Sequence, residues 1–276
     1  MTTNDFAEPA AELTTGRMPL LGFGTWQISN REAPQAIAYA LQAGYRHIDT
    51  ATAYHNEAGI GKALASAALP RESVFVTTKL PPGHAGRERK TLGESLTKLG
   101  LDYVDLWLVH WPPNGLASPR VWQQLIRAQQ EGLAKAIGVS NYSLRQIDEL
   151  IEVTGVGPQV NQIRWGPSLY DAAVVSGLAQ RGVVLEGYSP FKVSNLSDPT
   201  LVSIASDHDA TTAQVIVAWH IAHGFVVIPK SSRRERIIAN AAGAHIQLSA
   251  EAVAAIDGLA RDARVGSSRR FGWRPR

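Results

Sequence analysis

With 276 residues, 45% of them apolar, the chain can bury a sizeable core as one large domain or two small ones. It contains no cysteine, which excludes disulfides, thiolate metal sites and cysteine nucleophiles and fits a reducing compartment. The net charge of +3 comes from five arginines near the C-terminus (Arg264, Arg269, Arg270, Arg274 and Arg276); the remainder is slightly acidic and is no nucleic-acid surface.

The first dozen residues are small and polar and do not read as a secretory leader. No apolar run approaches the ~18 residues of a membrane span. The longest candidate, 215–229, is interrupted by His220, His223 and Gly224. A cytoplasmic protein without a membrane partner is expected. Residues 13–21 read as a small hairpin, with Gly16 at the turn and Pro19 making the second arm an edge. Eight short apolar runs follow, at 20–25, 46–49, 74–79, 104–110, 136–140, 159–163, 183–188 and 225–229. Between them lie segments of helical spacing, at 33–43, 57–67, 88–99, 121–131, 144–154, 170–180, 211–223 and 233–241. Ser143 and Ser249 are N-cap candidates, Gly132 is a C-terminal stop, and a last helix runs from 250 to about 259.

Eight alternations of apolar strand and helix predict a parallel sheet covered by helices, and eight closes a (β/α)8 barrel. An open doubly wound sheet is the rival. Its phosphate fingerprint is incomplete, because Gly22-Phe23-Gly24 is followed by Thr25-Trp26-Gln27 without the third glycine. Gly59 and Gly61 open a helix but follow no strand, and read as close packing. The expectation is a single α/β TIM-barrel domain over 1–276, with an N-terminal hairpin, a C-terminal extra helix and tail, and loose ends at 1–12 and 265–276.

In such a barrel, chemistry collects where strands end. The second strand ends at Asp49, with Tyr54 in the loop beyond it; the third ends at Lys79 and the fourth at His110, followed by Trp111-Pro112. The later strands end at Ser140-Asn141, Asn161-Gln162, Tyr188-Ser189-Pro190 and Lys230-Ser231. Four ionisable groups at the ends of three successive strands suit proton delivery without a metal. Lys79 beside Tyr54 lowers the phenol pKa, and Asp49 holds the ammonium in place. His110 donates a hydrogen bond to a carbonyl oxygen, which Tyr54 then protonates. No nucleophile for the carbonyl carbon is evident, so a hydride cofactor is the economical partner. His220 and His223 lack the His-Glu-x-x-His pattern of a zinc helix, and no metal is expected. His47 receives no role.

These segments resemble the aldo-keto reductase family across almost the whole chain. The likeness is carried by Gly22-Phe23-Gly24-Thr25-Trp26, Gly44-Tyr45-Arg46-His47-Ile48-Asp49-Thr50-Ala51, Thr77-Thr78-Lys79-Leu80 and Leu108-Val109-His110-Trp111-Pro112. It continues in Gly138-Val139-Ser140-Asn141-Tyr142, Val160-Asn161-Gln162-Ile163, Tyr188-Ser189-Pro190 and Ile228-Pro229-Lys230-Ser231. The resemblance implies a barrel that binds NADP(H) across the strand ends and reduces aldehydes and ketones, usually as a monomer. It implies Asp49, Tyr54, Lys79 and His110 as the catalytic tetrad, with Tyr54 the general acid. Ser140, Asn141 and Gln162 would hold the nicotinamide carboxamide. Tyr188 would stack on the nicotinamide with Ser189 beside it, and Thr25 and Asp49 would lie on one side of the cofactor. Lys230, Ser231 and Arg236 would clamp the 2′-phosphate, and Asn240 would meet the adenine. Two cations and a hydroxyl suit a phosphate dianion better than a ribose hydroxyl, so NADPH is preferred to NADH.

Trp26 and Trp111, with Tyr54 and His110, would wall the substrate pocket. The run Gln162-Ile163-Arg164-Trp165-Gly166-Pro167 departs from the family's usual pattern beyond Gln162, and Ala239 stands where the family often has an acid. Short loops at 112–119 and 190–199 resemble the compact bacterial branch, such as the 2,5-diketo-gluconate reductases. Phe271 and Trp273 among the tail arginines read either as a solvated end or as an aromatic lid favouring anionic substrates. A regulatory or sensor subunit binding NADP(H) with little turnover is the alternative function. A barrel hydrolase would need a metal set or a carboxylate pair at the strand ends, where Asp49 is the one carboxylate.

Overall fold

The computed structural model describes residues 9–266. The tail aromatics Phe271 and Trp273, and arginines 269, 270, 274 and 276, lie outside that range, and so does the lid reading. A two-stranded hairpin comes first, β1 (Ala10–Leu13) against β2 (Gly16–Pro19). Ala10 to Glu12, expected in a loose end, are thus paired. The register Leu13↔Gly16 puts Thr14 and Thr15 at the turn and Gly16 at the start of the second arm.

Eight parallel strands follow in chain order: β3 (Gly22–Gly24), β4 (His47–Asp49), β5 (Phe75–Leu80), β6 (Val104–Val109), β7 (Ala134–Ser140), β8 (Val160–Arg164), β9 (Val184–Tyr188) and β10 (Val226–Ile228). Each pairs with its predecessor, and the ring closes where Leu21 bridges Val227 and Val227 N donates to Leu20 O at 2.7 Å. The helices are α1 (Ala33–Gln42), α2 (Glu57–Ser66), α3 (Glu88–Leu99), α4 (Pro119–Gln130), α5 (Leu144–Thr154), α6 (Ala172–Ala179), α7 (Pro199–Asp207), α8 (Thr212–Ala222), α9 (Arg234–Ala242) and α10 (Ala250–Gly266). The strands read as unbroken apolar runs because they are buried on both faces: every residue of β5 and β6 is buried. Outward residues such as Ile48, Val76, Trp107 and Ile137 pack under the helices in the larger core. Inward residues Phe75, Leu106, Leu108, Val160 and Val226 form a second core, completed by Met18 of the hairpin and by Leu20 just after it.

Local signals account for several ends. Ser143 and Gln146 close a reciprocal capping box on α5, and Ser249 Oγ accepts from Ala252 N at 3.2 Å. Gly132 takes φ 76°, in the left-handed region that stops a helix. A Cβ on Gly61 would run into the carbonyls of Lys98 and Leu99, so this glycine serves the close packing of α2 on α3. One α-helix was not expected. α7 follows the short loop after β9, capped by Asp198, whose side chain accepts from Thr200 N at 2.9 Å. Among the described residues no helix is long and apolar enough to cross a membrane.

Candidate active site

The centre begins with two neighbouring strands. β4 and β5 pair in parallel with Asp49 opposite Thr77, so Lys79, two residues on, faces the same interior one step higher. The Lys79 side chain is fully buried and Asp49 nearly so. Lys79 Nζ lies 2.6 Å from Asp49 Oδ1 and 2.7 Å from Thr50 O, and Gln162 Nε2 donates to Asp49 Oδ2 at 2.8 Å. Burial works against both charges. For Lys79, the Asp49 carboxylate outweighs it and holds the ammonium above its ordinary range. For Asp49, burial pushes the carboxyl up against the pull of Lys79 and of the Gln162 amide.

Tyr54 ends a one-turn 3-10 helix, Thr52–Tyr54, just beyond β4. Thr52 Oγ1 donates to Lys79 O at 3.0 Å, which ties this turn to the end of β5. Lys79 Nζ sits 5.0 Å from the Tyr54 ring centroid, and the His110 ring meets the Tyr54 ring edge-on at 5.6 Å. Burial, then the Lys79 charge, push His110 down to about 3, so its imidazole is neutral and available as a hydrogen-bond donor. The phenol differs from expectation. Lys79 does pull the Tyr54 pKa down, but burial pushes harder the other way, and the net direction is up. The phenol is therefore held protonated, as a proton donor must be.

Next to these lie the amide and aromatic groups. Ser140 Oγ donates to Gln162 O at 2.8 Å. Asn141, in the left-handed region at φ 64°, donates from Nδ2 to Ser140 Oγ and to His110 O, and its Oδ1 accepts from the Tyr188 hydroxyl at 2.9 Å. Burial pushes the Tyr188 phenol up to about 12. Ser189 follows at φ 56° and turns the chain out of β9. Thr25 is buried beyond β3 and donates to Asp49 O at 2.9 Å. The structure thus gathers Thr25, Asp49, Tyr54, Lys79, His110, Ser140, Asn141, Gln162 and Tyr188 at one end of the barrel. Trp111 is half-buried after β6, while Trp26 is 46% exposed, with the Lys192 ammonium 4.4 Å from its ring centroid. Lys230 and Ser231 follow β10, and Arg236 and Asn240 lie on α9. There the two cations are exposed and the Ser231 and Asn240 side chains are buried.

Several residues of the site escaped the sequence reading. Asn56 is buried and donates to Thr25 O and Ile28 O, both at 3.0 Å, while accepting from Thr50 Oγ1 at 2.8 Å. It locks the loop carrying Tyr54 to the loop after β3. Asn56→Ala takes the side-chain donor from the buried Ile28 carbonyl and the acceptor from Thr50 Oγ1, while Thr25 O keeps Ile28 N, and is expected to lower stability by about 2–3 kcal/mol, read as a shifted denaturant midpoint. His47 and Glu186 are fully buried inside the barrel, with His47 Nε2 3.1 Å from Thr77 Oγ1 and 3.8 Å from Glu186 Oε1. His47 precedes Asp49 by two residues, and that alternation alone places both side chains on one face. Glu186 was visible as a lone carboxylate inside an apolar strand.

A barrel with a buried lysine–aspartate pair, a phenol and a neutral imidazole gathered where its strands end defines an enzyme of the barrel oxidoreductase class. The profile of the Aldo/keto reductase family matches residues 20–261. An aldo-keto reductase of Mycolicibacterium vanbaalenii is 43% identical over 246 residues, covering 88% of each chain. The methylglyoxal reductase DkgA of Salmonella typhimurium is 40% identical over 253 residues, 90% of this chain and 92% of that one. Among solved structures, an aldo/keto reductase from Brucella melitensis superposes with a TM-score of 0.85 at 40% identity, covering 91% of this chain and 97% of that one. A Bombyx mori aldo-keto reductase in complex with NADP superposes at 0.83 with 34% identity, covering 91% of this chain and 92% of that one. The chain belongs to the aldo/keto reductase family.

Proposed function

We propose that the protein reduces aldehydes or ketones to alcohols with NADPH, reversibly, with Tyr54 as the general acid. The observation that carries this reading is the buried Lys79–Asp49 pair beside Tyr54 and a neutral His110. The residues present fit the cofactor. Lys230 and Arg236 carry no ion pair among the described residues, so both are available to a phosphate beside the Ser231 hydroxyl. Asn141 and Tyr188 stand together beside the end of β8 that carries Gln162, with Asn141 N donating to Gln162 O at 2.9 Å. The NADP-bound Bombyx relative supports the same choice. When bound, NADPH supplies the hydride.

The chain's own residues do the rest. His110 donates to the substrate oxygen and orients it. Tyr54 releases its proton to that oxygen as negative charge develops there. Lys79 stabilises the phenolate left behind, and Asp49 keeps Lys79 charged and in place. In oxidation the same groups run in reverse, with Tyr54 as base. We carry over Ser140, Asn141 and Gln162 as carboxamide partners, Tyr188 with Ser189 as the stacking side, and Thr25 and Asp49 as neighbours of the cofactor. Asn240 is assigned to the adenine, and Trp26 and Trp111 to the pocket wall. The relatives named methylglyoxal reductases make a small dicarbonyl the first substrate to try. The protein is read as a cytoplasmic monomer, and light scattering giving a single-chain mass checks the second point.

The test is loss of NADPH absorbance with a panel of aldehydes and ketones. Binding of NADP(H) with no turnover on any of them would favour the regulatory reading instead. The phosphate clamp has its own test. Arg236→Ala and Lys230→Ala should each lower the NADPH preference over NADH by about 10-fold or more, on the scale of one charge-assisted hydrogen bond. An unchanged ratio of kcat/KM values would remove these residues from the clamp.

A further inference from the structure

The tetrad rests on a second polar layer inside the barrel. His47, Thr77 and Glu186 stand two residues before Asp49, Lys79 and Tyr188 on the same three strands, and so share their inward faces. All three are fully buried. Gly22, with no side chain, makes the room: a Cβ there would overlap the His47 ring. Glu186 lies in register with Gln162, whose amide holds Asp49 Oδ2. No hydrogen bond of good geometry reaches either Glu186 oxygen: the Gln162 amide lies close enough only to pull the carboxyl part of the way down, and the nearest ring nitrogen, His47 Nε2, is 3.8 Å away.

We infer that Glu186, with His47, is a charge-setting pair beneath the catalytic centre: the pair holds one proton at neutral pH, and releasing it weakens Tyr54 as an acid. The inference rests on the proposed role of Tyr54. Asp49 and Lys79 cancel each other, so an anionic Glu186 leaves one uncompensated negative charge in a region sealed from water. A proton on Glu186 or on His47 removes it.

The groups facing Glu186 decide which of the two carries it. These are His47 and Asp49 from β4, Lys79 and the Thr77 hydroxyl from β5, the Tyr54 phenol above and the uncharged Gln162 from β8. Tyr188 lies further along its own strand, Val226 is opposite on β10, and His220 of α8 packs behind Gly187. Burial and then the Asp49 charge push Glu186 up to about 8. Burial and then the Lys79 charge push His47 down to about 3. The proton therefore sits on Glu186. Once it leaves, the new charge raises the Tyr54 phenol further and makes it a poorer donor. Glu186 is thus a positioning residue that acts through Tyr54.

The folded pKa of Glu186 lies above its unfolded value. Between about pH 4.5 and 8 the folded chain keeps a proton that the unfolded chain has lost, so stability from this group falls as pH rises through that window. Glu186→Gln keeps the shape and cannot ionise. The experiment compares full-length wild type, Glu186→Gln and Tyr54→Phe. It records aldehyde reduction with NADPH from about pH 6 to about pH 10, and Tm over about pH 5 to 9.

The wild type should lose kcat/KM on the alkaline side from about pH 8, and the limb should move up by about one unit or more in Glu186→Gln. The Tm of Glu186→Gln should gain on the wild type steadily as pH rises. Parallel Tm curves overturn the inference, and a widening Tm gap with superimposed activity profiles overturns the coupling to Tyr54. If Tyr54→Phe reduces as fast as wild type, the acid assignment fails, and the Tm curves still decide the charge layer. Should Glu186→Gln not fold, infrared difference spectra of the wild type across about pH 7 to 9.5 read the same proton. Loss of a carboxylic C=O band supports the inference, and no change overturns it.

Discussion

Tyr54→Phe is expected to lower turnover of aldehydes by about 10²–10⁴-fold, the range that a positioned general acid contributes. That corresponds to about 3–5 kcal/mol on the barrier. The substitution removes one oxygen and leaves the ring that packs edge-on against His110 and lies near Lys79. Folding and cofactor affinity should therefore change little. Quenching of protein fluorescence by NADPH measures binding in the same sample that has lost turnover. The direction of the phenol pKa matters for this result. Because burial outweighs Lys79, the hydroxyl is a firm donor in the resting protein, and its acidity develops only as charge appears on the substrate oxygen. Turnover within about threefold of wild type would transfer the acid role elsewhere.

The second large effect concerns the buried pair. Asp49→Asn strands the Lys79 ammonium in a site with no exposure, and Lys79→Met strands the carboxylate. Each single change should cost about 3–5 kcal/mol of stability, because an uncompensated charge remains buried. For a chain of this size that is a drop in Tm of about 10 °C. The double substitution Asp49→Asn/Lys79→Met removes both charges and should recover most of the stability, while activity stays lost. Thermal unfolding and NADPH oxidation, run on all four proteins, separate the two roles. Additive losses in the double variant would mean that the two groups are held independently.

Strand ends were legible because a parallel strand buried on both faces reads as an apolar run, and each run stops at a polar residue. Val104–Val109 followed by His110, and Phe75–Leu80 with Lys79 near its end, are such cases. The boundaries moved where pairing is irregular: Leu20 and Leu21 read as strand, yet only Gly22–Gly24 pairs regularly with β4. α7 was missed although Asp198-Pro199 is a cap followed by a first-turn proline, because its buried face is narrow: Leu201, Ile204 and Ala205. The Tyr54 pKa was misjudged for a different reason. The ion partner is readable from nearby strand ends, but the burial that outweighs it comes from packing across the whole barrel mouth. Glu186 lay in plain view within Val183-Val184-Leu185-Glu186-Gly187-Tyr188, but its meaning depends on His47 and Gln162, far away in sequence.

The central claim is hydride delivery to a carbonyl with Tyr54 supplying the proton. Its most direct test is reduction of methylglyoxal by the wild-type protein with NADPH deuterated at the transferring carbon. Mass spectrometry of the alcohol then reads where the label has gone. One deuterium on the new carbinol carbon, in step with NADPH oxidation, is the predicted result. An alcohol formed without deuterium, or label lost from the cofactor to water, would contradict it.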